Sequence, residues 1–294
     1  MQAGEKQKWV PTFLIAGVIW GSSFLFIEQS LTFLSPAGVA FWRTFLGAVV
    51  LIAVIAVRRL QLPKTLRPWL LMLVGGLFMS AVPATLFGFA QQQVSSSLAS
   101  IMNASTPIFT VLAILIAFPA EKPKPQVIIG LLIGLVGVGV VLGVWSGFGE
   151  NDPLAILALV AAVACYGIGS PFIRRFVEPL GLSREVAVFG QVSTSALVLA
   201  PFYLAGGVAH ANPTAAALGS ILALGALGTG FAYILYYRLL ATVGSPIASA
   251  VTYITPVIGV ALGILLLGET LTWHEPVGAL IVIAGAYVAQ RRRS

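Results

Sequence analysis

The sequence predicts an all-α polytopic membrane protein with ten transmembrane helices, arranged as two inverted five-helix repeats. Three observations lead to this prediction: the composition, a series of long apolar runs, and the placement of basic residues between them. Hydrophobic side chains make up 59% of the 294 residues and charged ones only 9%, whereas water-soluble chains carry about a quarter charged residues. This composition excludes a soluble enzyme, a disordered chain and a nucleic-acid-binding module, despite the net charge of +7.

Ten apolar runs are long enough to cross a bilayer, whose hydrocarbon core of about 30 Å takes about 20 helical residues. The predicted spans are residues 9–27, 36–57, 69–89, 98–118, 128–145, 153–173, 186–205, 215–237, 246–267 and 273–289. The first run is too long for a signal peptide, and no small-residue cleavage site follows it before Glu28.

Basic residues determine the predicted orientation. With the amino terminus in the cytoplasm, every Lys and Arg outside a span falls in a cytoplasmic segment, and only Arg43 lies within a span. Cytoplasmic loops of membrane proteins carry this excess of positive charge. Both termini are therefore predicted to be cytoplasmic, and the loop 146–152 periplasmic.

Shifting the sequence by about half its length aligns one half with the other. At an offset of 149, residues of the fourth span fall on similar residues of the ninth: Ser96, Ala99, Ser100, Thr106 and Pro107 on Ser245, Ala248, Ser249, Thr255 and Pro256. Because each half has an odd number of spans, the second half enters from the opposite side, and residues 1–148 and 149–294 are predicted to be inverted repeats. Such repeats place a substrate site near the midplane and allow alternating access.

The order of several short motifs resembles the drug/metabolite transporter superfamily, and most of all its EamA-type members. The motifs are Trp-Gly-Ser-Ser-Phe at 20–24, Phe-Trp-Arg at 41–43, and a Thr-Pro followed by a loop Glu in each half. The second half departs from the pattern, with Gln191 where the first has Arg43. The resemblance, which covers nearly the whole chain, implies an exporter of amino acids, such as aromatic ones, or of similar metabolites in the inner membrane of a bacterial cell. It does not determine the cargo.

Arg43 is the first candidate for a binding residue. It lies roughly 10 Å below the outer end of its helix, where an unpaired charge is costly unless it faces water, a partner or a ligand. The side chain could extend to the surface, tie neighbouring helices together, or bind a substrate carboxylate from a cavity. The last role is the one we favour, because the guanidinium matches a carboxylate in a two-bond geometry.

Aromatic and polar residues within the spans complete the predicted cavity. Four of the six tryptophans lie at span ends, where indole rings form interfacial belts, whereas Trp20 and Trp42 do not and are predicted to line the cavity, with a lipid-facing position as the alternative. The other predicted lining residues are Ser23, Asn103, Tyr166, Gln191, Ser195, Tyr233, Thr252 and Tyr253.

Two prolines at equivalent positions, Pro107 and Pro256, are predicted to be hinges. Each removes the N–H that would bond to the carbonyl four residues earlier. The carbonyls of Asn103 and Thr252 are therefore predicted to be unpaired near the midplane. Static helix packing is the alternative role for these spans, which also carry small residues.

Several features of enzymes and coupled carriers are missing from the sequence. It has no P-loop motif, histidine cluster or nucleophile–base pair, so no catalytic residue, metal or cofactor is predicted. No acid is clearly buried at mid-span, which disfavours proton-coupled extrusion of lipophilic cations.

The predicted function is a secondary carrier. The alternatives are a multidrug or aromatic-cation exporter that uses cation–π contacts, a channel, and an integral-membrane enzyme. The predicted partners are a small-molecule cargo and the lipid bilayer, with the protein a monomer or weak homo-oligomer.

Overall fold

The computed structural model describes residues 9–117, 125–146, 152–209, 212–236, 238–239, 242 and 250–290. Ser245 and Ser249, and most of the loop 146–152, lie outside the described residues. Within these ranges the secondary structure is helical, apart from one isolated antiparallel bridge between Leu34 and Val208.

Twelve helices are used in the description that follows. They are α1 (Val10–Leu31), α2 (Pro36–Arg58), α3 (Leu66–Gly76), α4 (Val82–Ala90), α5 (Ser96–Asn103), α6 (Thr106–Ala117), α7 (Pro125–Val141), α8 (Pro153–Phe172), α9 (Arg184–Gly206), α10 (Ala215–Gly225), α11 (Ile254–Leu267) and α12 (His274–Gln290). π-Helical turns extend three of them: Leu77–Ala81 joins α3 to α4, Ile173–Val177 extends α8, and Ala226–Phe231 follows α10.

The predicted fold class is confirmed. Seven helical stretches of the described residues are long and apolar enough to cross a membrane, and three shorter apolar helices occupy the fifth, ninth and tenth predicted spans. The differences lie at the ends of the spans. Arg174 and Arg175, predicted to lie in a loop, are exposed residues of the π-helical turn that extends α8.

Capping side chains determine where several helices begin. The side chains of Ser35, Ser95, Asp152, Ser183 and Thr214 each accept a hydrogen bond from a backbone N–H in the first turn of the helix that follows. These N–H groups have no partner within the helix, and a short polar side chain at this position satisfies one of them.

Contacts between helices of the two predicted halves occur in equivalent pairs. Each contact of a first-half helix with a second-half helix has a counterpart in which the two halves swap roles. α1 packs against α11 as α8 packs against α6, and α2 packs against the π-helical turn after α10 as α9 packs against the π-helical turn after α3. These contacts join helices of one predicted half to helices of the other. The junction between residues 148 and 149 falls among residues outside the described ranges, so the limits of the repeats stay a prediction.

α7 and α12, the fifth and tenth spans, pack backbone against backbone. A Cβ atom on Gly285 would lie 2.5 Å from the backbone nitrogen of Gly134, and one on Gly137 would lie 2.6 Å from that of Val282. Glycine allows this close approach, which is the usual way for apolar helices to associate in lipid.

Candidate functional site

A small cavity lies between the two halves. It is lined by Arg43, Thr44, Met79, Ser80, Tyr166, Thr229 and Tyr233. Its free volume is about 10 Å³, which leaves room for roughly one water molecule. Three of the predicted residues, Arg43, Tyr166 and Tyr233, meet here. The helices would have to separate before a larger solute could enter.

Arg43 extends from α2 in the first half to the π-helical turn of the second half. Its Nε donates a hydrogen bond to Thr229 Oγ1 over 3.1 Å. The Thr229 hydroxyl gives its own proton to the carbonyl of Leu224, at 3.3 Å, so a lone pair of this oxygen is available to the guanidinium. No carboxylate within the described residues forms an ion pair with Arg43. The guanidinium is thus fixed at one nitrogen, with its other donors open to the cavity.

Ser80 and Thr229 occupy equivalent positions in two π-helical turns. The offset of 149 that aligns α6 with α11 also places Ser80 on Thr229. Ser80 lines the cavity together with Tyr233, while Thr229 holds Arg43. π-Helical turns inside α-helices are frequent at functional sites. Neither hydroxyl was predicted, and their match at the half-chain offset is the sequence signal that would have identified them.

Trp20 lies behind the cavity wall. Its Nε1 donates to the carbonyl of Gly228 over 3.2 Å, beside Thr229. Its ring packs against Tyr233 and Tyr236, with ring centroids 6.1 and 5.3 Å away. Ser23 is buried in the same region and donates to a carbonyl of its own helix. Both side chains support the wall without lining it.

Three other predicted residues lie away from the cavity. Trp42 packs with Phe41 and Tyr203 in an aromatic cluster. Gln191 and Ser195 lie where α9 crosses the glycine pair at 75–76. Each donates a hydrogen bond to a carbonyl four residues earlier in its own helix. Their polar atoms are therefore satisfied within α9.

The two predicted hinge prolines lie at breaks in the helices. Pro107 is the second residue of α6, which begins after α5 has ended at Asn103. Pro256 is the third residue of α11, which follows a 3-10 turn at Ala250–Tyr253. Thr252 and Tyr253 belong to this turn, which packs against α1. Equivalent spans of the two halves are therefore interrupted at equivalent places.

The prediction of unpaired carbonyls at these breaks is wrong. The carbonyl of Asn103 accepts a hydrogen bond from Thr106 Oγ1 at 2.7 Å, and that of Thr252 accepts one from Thr255 Oγ1 at 2.8 Å. In each case the threonine directly before the proline supplies the donor that the proline lacks. Serine and threonine commonly re-satisfy backbone groups that proline frees in membrane helices.

Glu269 joins the two halves at the start of α5. Its carboxylate accepts hydrogen bonds from the backbone N–H groups of Ser96, at 2.7 Å, and Ser97, at 3.0 Å, and also from the Ser97 hydroxyl. A negative charge at a helix N-terminus is favourable because of the helix dipole. The sequence placed Glu269 in a loop and gave it no role.

These features define a class of protein. Apolar helices in two related halves with a polar cavity between them are typical of membrane carriers, and within the described residues no three His, Cys, Asp or Glu side chains come together as a metal site would require. The profile of the EamA-like transporter family matches residues 7–143 and, a second time, residues 153–290. The chain therefore belongs to the EamA-like transporter family.

Similar proteins match over most of their length. An uncharacterized transporter of Archaeoglobus fulgidus is 28% identical over 291 residues, 98% of this chain and 100% of its own. The inner membrane transporter YedA of Escherichia coli is 28% identical over 259 residues, 88% of this chain and 82% of its own. A probable amino-acid metabolite efflux pump of Salmonella typhimurium is 27% identical over 287 residues, 94% and 92% of the two chains. A crystal structure with 21% identity and a TM-score of 0.67 covers 96% of both chains and has the same fold.

Proposed function

We propose that this transporter is a secondary carrier that exports amino acids or similar small metabolites across the inner membrane by alternating access. The observation that carries the proposal is Arg43, whose guanidinium reaches a closed cavity between the halves and has no carboxylate partner among the described residues. A charge at membrane depth is stable only with a partner or water. The carboxylate of an amino acid would supply that partner in a two-bond geometry. The name of the Salmonella relative supports this class of cargo.

The rest of the cavity suits the other parts of an amino acid. The hydroxyl of Thr44 donates to carbonyls of its own helix, which leaves its oxygen able to accept from an ammonium group. The rings of Tyr166 and Tyr233 offer apolar surface to a side chain. In an amino acid with an apolar side chain, Arg43 would therefore bind the carboxylate and Thr44 the ammonium group, while the tyrosine rings would contact the side chain.

Alternating access follows from the size of the cavity and the relation of the halves. A space for roughly one water molecule admits no amino acid, so the helices around it must separate before a cargo enters. Interlocking inverted halves open on one side or the other by rocking around such a site. The predicted orientation, with both termini cytoplasmic, belongs to the same proposal.

An exporter of aromatic cations is the second candidate. Trp20 packs with Tyr233 and Tyr236, and aromatic faces of this kind bind organic cations. Arg43 argues against it, because its positive charge lies in the same cavity and repels a cation. An amino acid would use both the guanidinium of Arg43 and the aromatic rings, so the amino-acid proposal is preferred.

Counterflow in proteoliposomes tests the proposal. Vesicles preloaded with an unlabelled amino acid should accumulate the same labelled amino acid, for at least one member of a panel, with saturation at high concentration. The lipophilic cation tetraphenylphosphonium should not be carried. Arg43→Lys should weaken transport, because lysine keeps the charge but loses the planar fork, and Arg43→Ala should weaken it further.

The matched control is Arg58→Ala, which removes an exposed arginine from the same helix. Normal amino-acid counterflow by a well-folded Arg43→Ala variant would refute the role of Arg43. Flux without saturation would indicate a channel, and transport of the lipophilic cation alone would favour the second candidate.

A further inference from the structure

A second polar cluster lies outside the cavity, near the end of α1 that is predicted to be periplasmic. Glu28 is half-buried there and accepts a hydrogen bond from Gln91 Nε2 at 3.3 Å. The same amide nitrogen donates to the carbonyl of Phe24 at 2.9 Å. Glu269, from the connection between α11 and α12, is close enough to interact electrostatically with Glu28. The cluster thus brings together α1, the chain after α4, and the second half.

The orientation of the Gln91 amide follows from its partners. The carbonyl of Phe24 can only accept, so the amide nitrogen must face it. Gln91 is only 3% exposed, and its Oε1 has no hydrogen-bond partner among the described residues. A buried acceptor without a donor is destabilising. The cluster therefore lacks one hydrogen-bond donor, which Gln91 Oε1 would accept.

The nearby groups cannot supply that donor in their ionised forms. A carboxylate has acceptors only, so an ionised Glu28 leaves Gln91 Oε1 unsatisfied. The carboxylate of Glu269 is itself occupied by the donors at the start of α5. Among the described residues, Glu269 is the charged group that acts on Glu28, and no basic residue of the helices packed on α1 offsets it.

A protonated Glu28 satisfies the cluster. Its carbonyl oxygen accepts from Gln91 Nε2, while its O–H becomes the donor that Gln91 Oε1 lacks, which is the paired arrangement of a carboxylic acid and a primary amide. A metal ion fits less well, because hard cations need six or more oxygen ligands and those of Glu269 are already engaged.

We propose that Glu28 binds the proton that couples transport to the proton gradient, with Gln91 and Glu269 as its positioning residues. This proposal rests on the proposed carrier function. In the arrangement of these helices described above, the proton is held between Glu28 and Gln91. When the proton leaves, Glu28 and Glu269 repel each other, and this repulsion favours separation of α1 from the second half.

Infrared titration of the purified protein in lipid nanodiscs tests proton binding without any cargo. The wild type should show a protonated-carboxyl band that titrates separately from those of exposed acids, and Glu28→Gln should lose it. Glu185→Gln, in which the partly exposed acid of the Arg58 ion pair is replaced, should keep it. The same band in wild type and Glu28→Gln would overturn the proposal.

Transport in proteoliposomes tests coupling, with the amino acid that gives the strongest counterflow as the probe. A proton gradient should drive net transport by the wild type, and Glu28→Gln should lose this response while counterflow continues. Gradient-driven transport by Glu28→Gln would overturn the proposal. If Glu28→Gln fails to insert, Gln91→Leu provides the test: it should shift the infrared band and weaken the response, and an unchanged band and response would overturn the proposal. If no amino acid gives counterflow, the proposed function fails, and the infrared result still decides whether Glu28 binds a proton.

Discussion

The hydroxyl of Thr229 should hold Arg43 in the position that binds cargo, and Thr229→Val tests this role. Valine keeps the β-branched shape at a position that is only 3% exposed. It removes both the acceptor for Arg43 Nε and the donor to the carbonyl of Leu224. The guanidinium would remain in the cavity but lose its fixed direction.

The expected effect on affinity follows from the loss of the hydrogen bond between Thr229 and Arg43. A hydrogen bond to a charged group contributes about 1.5–3 kcal/mol. Because Arg43 is half-buried and its remaining N–H groups can rearrange, we expect a loss at the lower end of this range. A loss of about 1.4 kcal/mol corresponds to a tenfold weaker affinity. The half-saturation concentration of the amino-acid cargo should therefore rise about tenfold.

Counterflow with two cargoes separates this role from a general loss of structure. The amino acid should lose affinity in Thr229→Val, whereas an uncharged analogue, the N-acetylated amine without the carboxylate, should not. Thr85→Val is the matched control, because the Thr85 hydroxyl donates to a carbonyl of its own helix at 2.9 Å and lies off the cavity. Equal shifts in the two variants, or equal shifts for the two cargoes, would refute the reasoning.

Three further predictions concern the helix breaks, the contact at α5 and the topology. Pro107→Ala and Pro256→Ala should give folded proteins that exchange cargo more slowly, because alanine restores the missing N–H and stiffens the break; an unchanged exchange rate in the double variant, at equal thermal stability, would leave the prolines a packing role. Glu269→Gln removes the charge at the start of α5 and should lower the free energy of unfolding in nanodiscs by about 1 kcal/mol, and an unchanged value would contradict this contribution. Asn151→Cys, in a Cys165→Ser background, should react with an impermeant maleimide from the periplasmic side, and labelling from the cytoplasmic side alone would refute the inverted arrangement.

The positions of the spans could be predicted because each depends on its own local composition. About 20 apolar residues must form a helix in lipid, whatever the rest of the chain does. Arg43 was also predictable as a cavity candidate, because a charge within a span is costly unless it faces water, a partner or a ligand. Trp42 was assigned to the same cavity, but its ring packs with Phe41 and Tyr203, a contact with another helix that the composition of its span does not show.

The remaining parts of the site depend on hydrogen bonds that composition does not show. Thr229 reaches Arg43 from a π-helical turn, a local change of register that apolar runs do not reveal. The carbonyls before the prolines were predicted to be unpaired because proline removes a backbone donor, but the hydroxyls of Thr106 and Thr255 replace that donor. Glu269 meets Ser96 across 173 residues of sequence, a pairing that only the folded halves create.

Backbone pairing at the predicted periplasmic end restricts the exit route of the cargo. The N–H of Ser35 donates to the carbonyl of Gly207 at 2.9 Å, and that of Ala209 donates to the carbonyl of Phe33 at 2.8 Å. These bonds join the adjacent ends of α1, α2 and α9, whereas the carboxylate of Glu269 holds α5 at the same end through a side chain alone. The opening on the predicted periplasmic side should therefore form beside α5. Departing molecules would pass the negative charge of Glu269 there. Metabolites with net negative charge should be poor cargo for release through it.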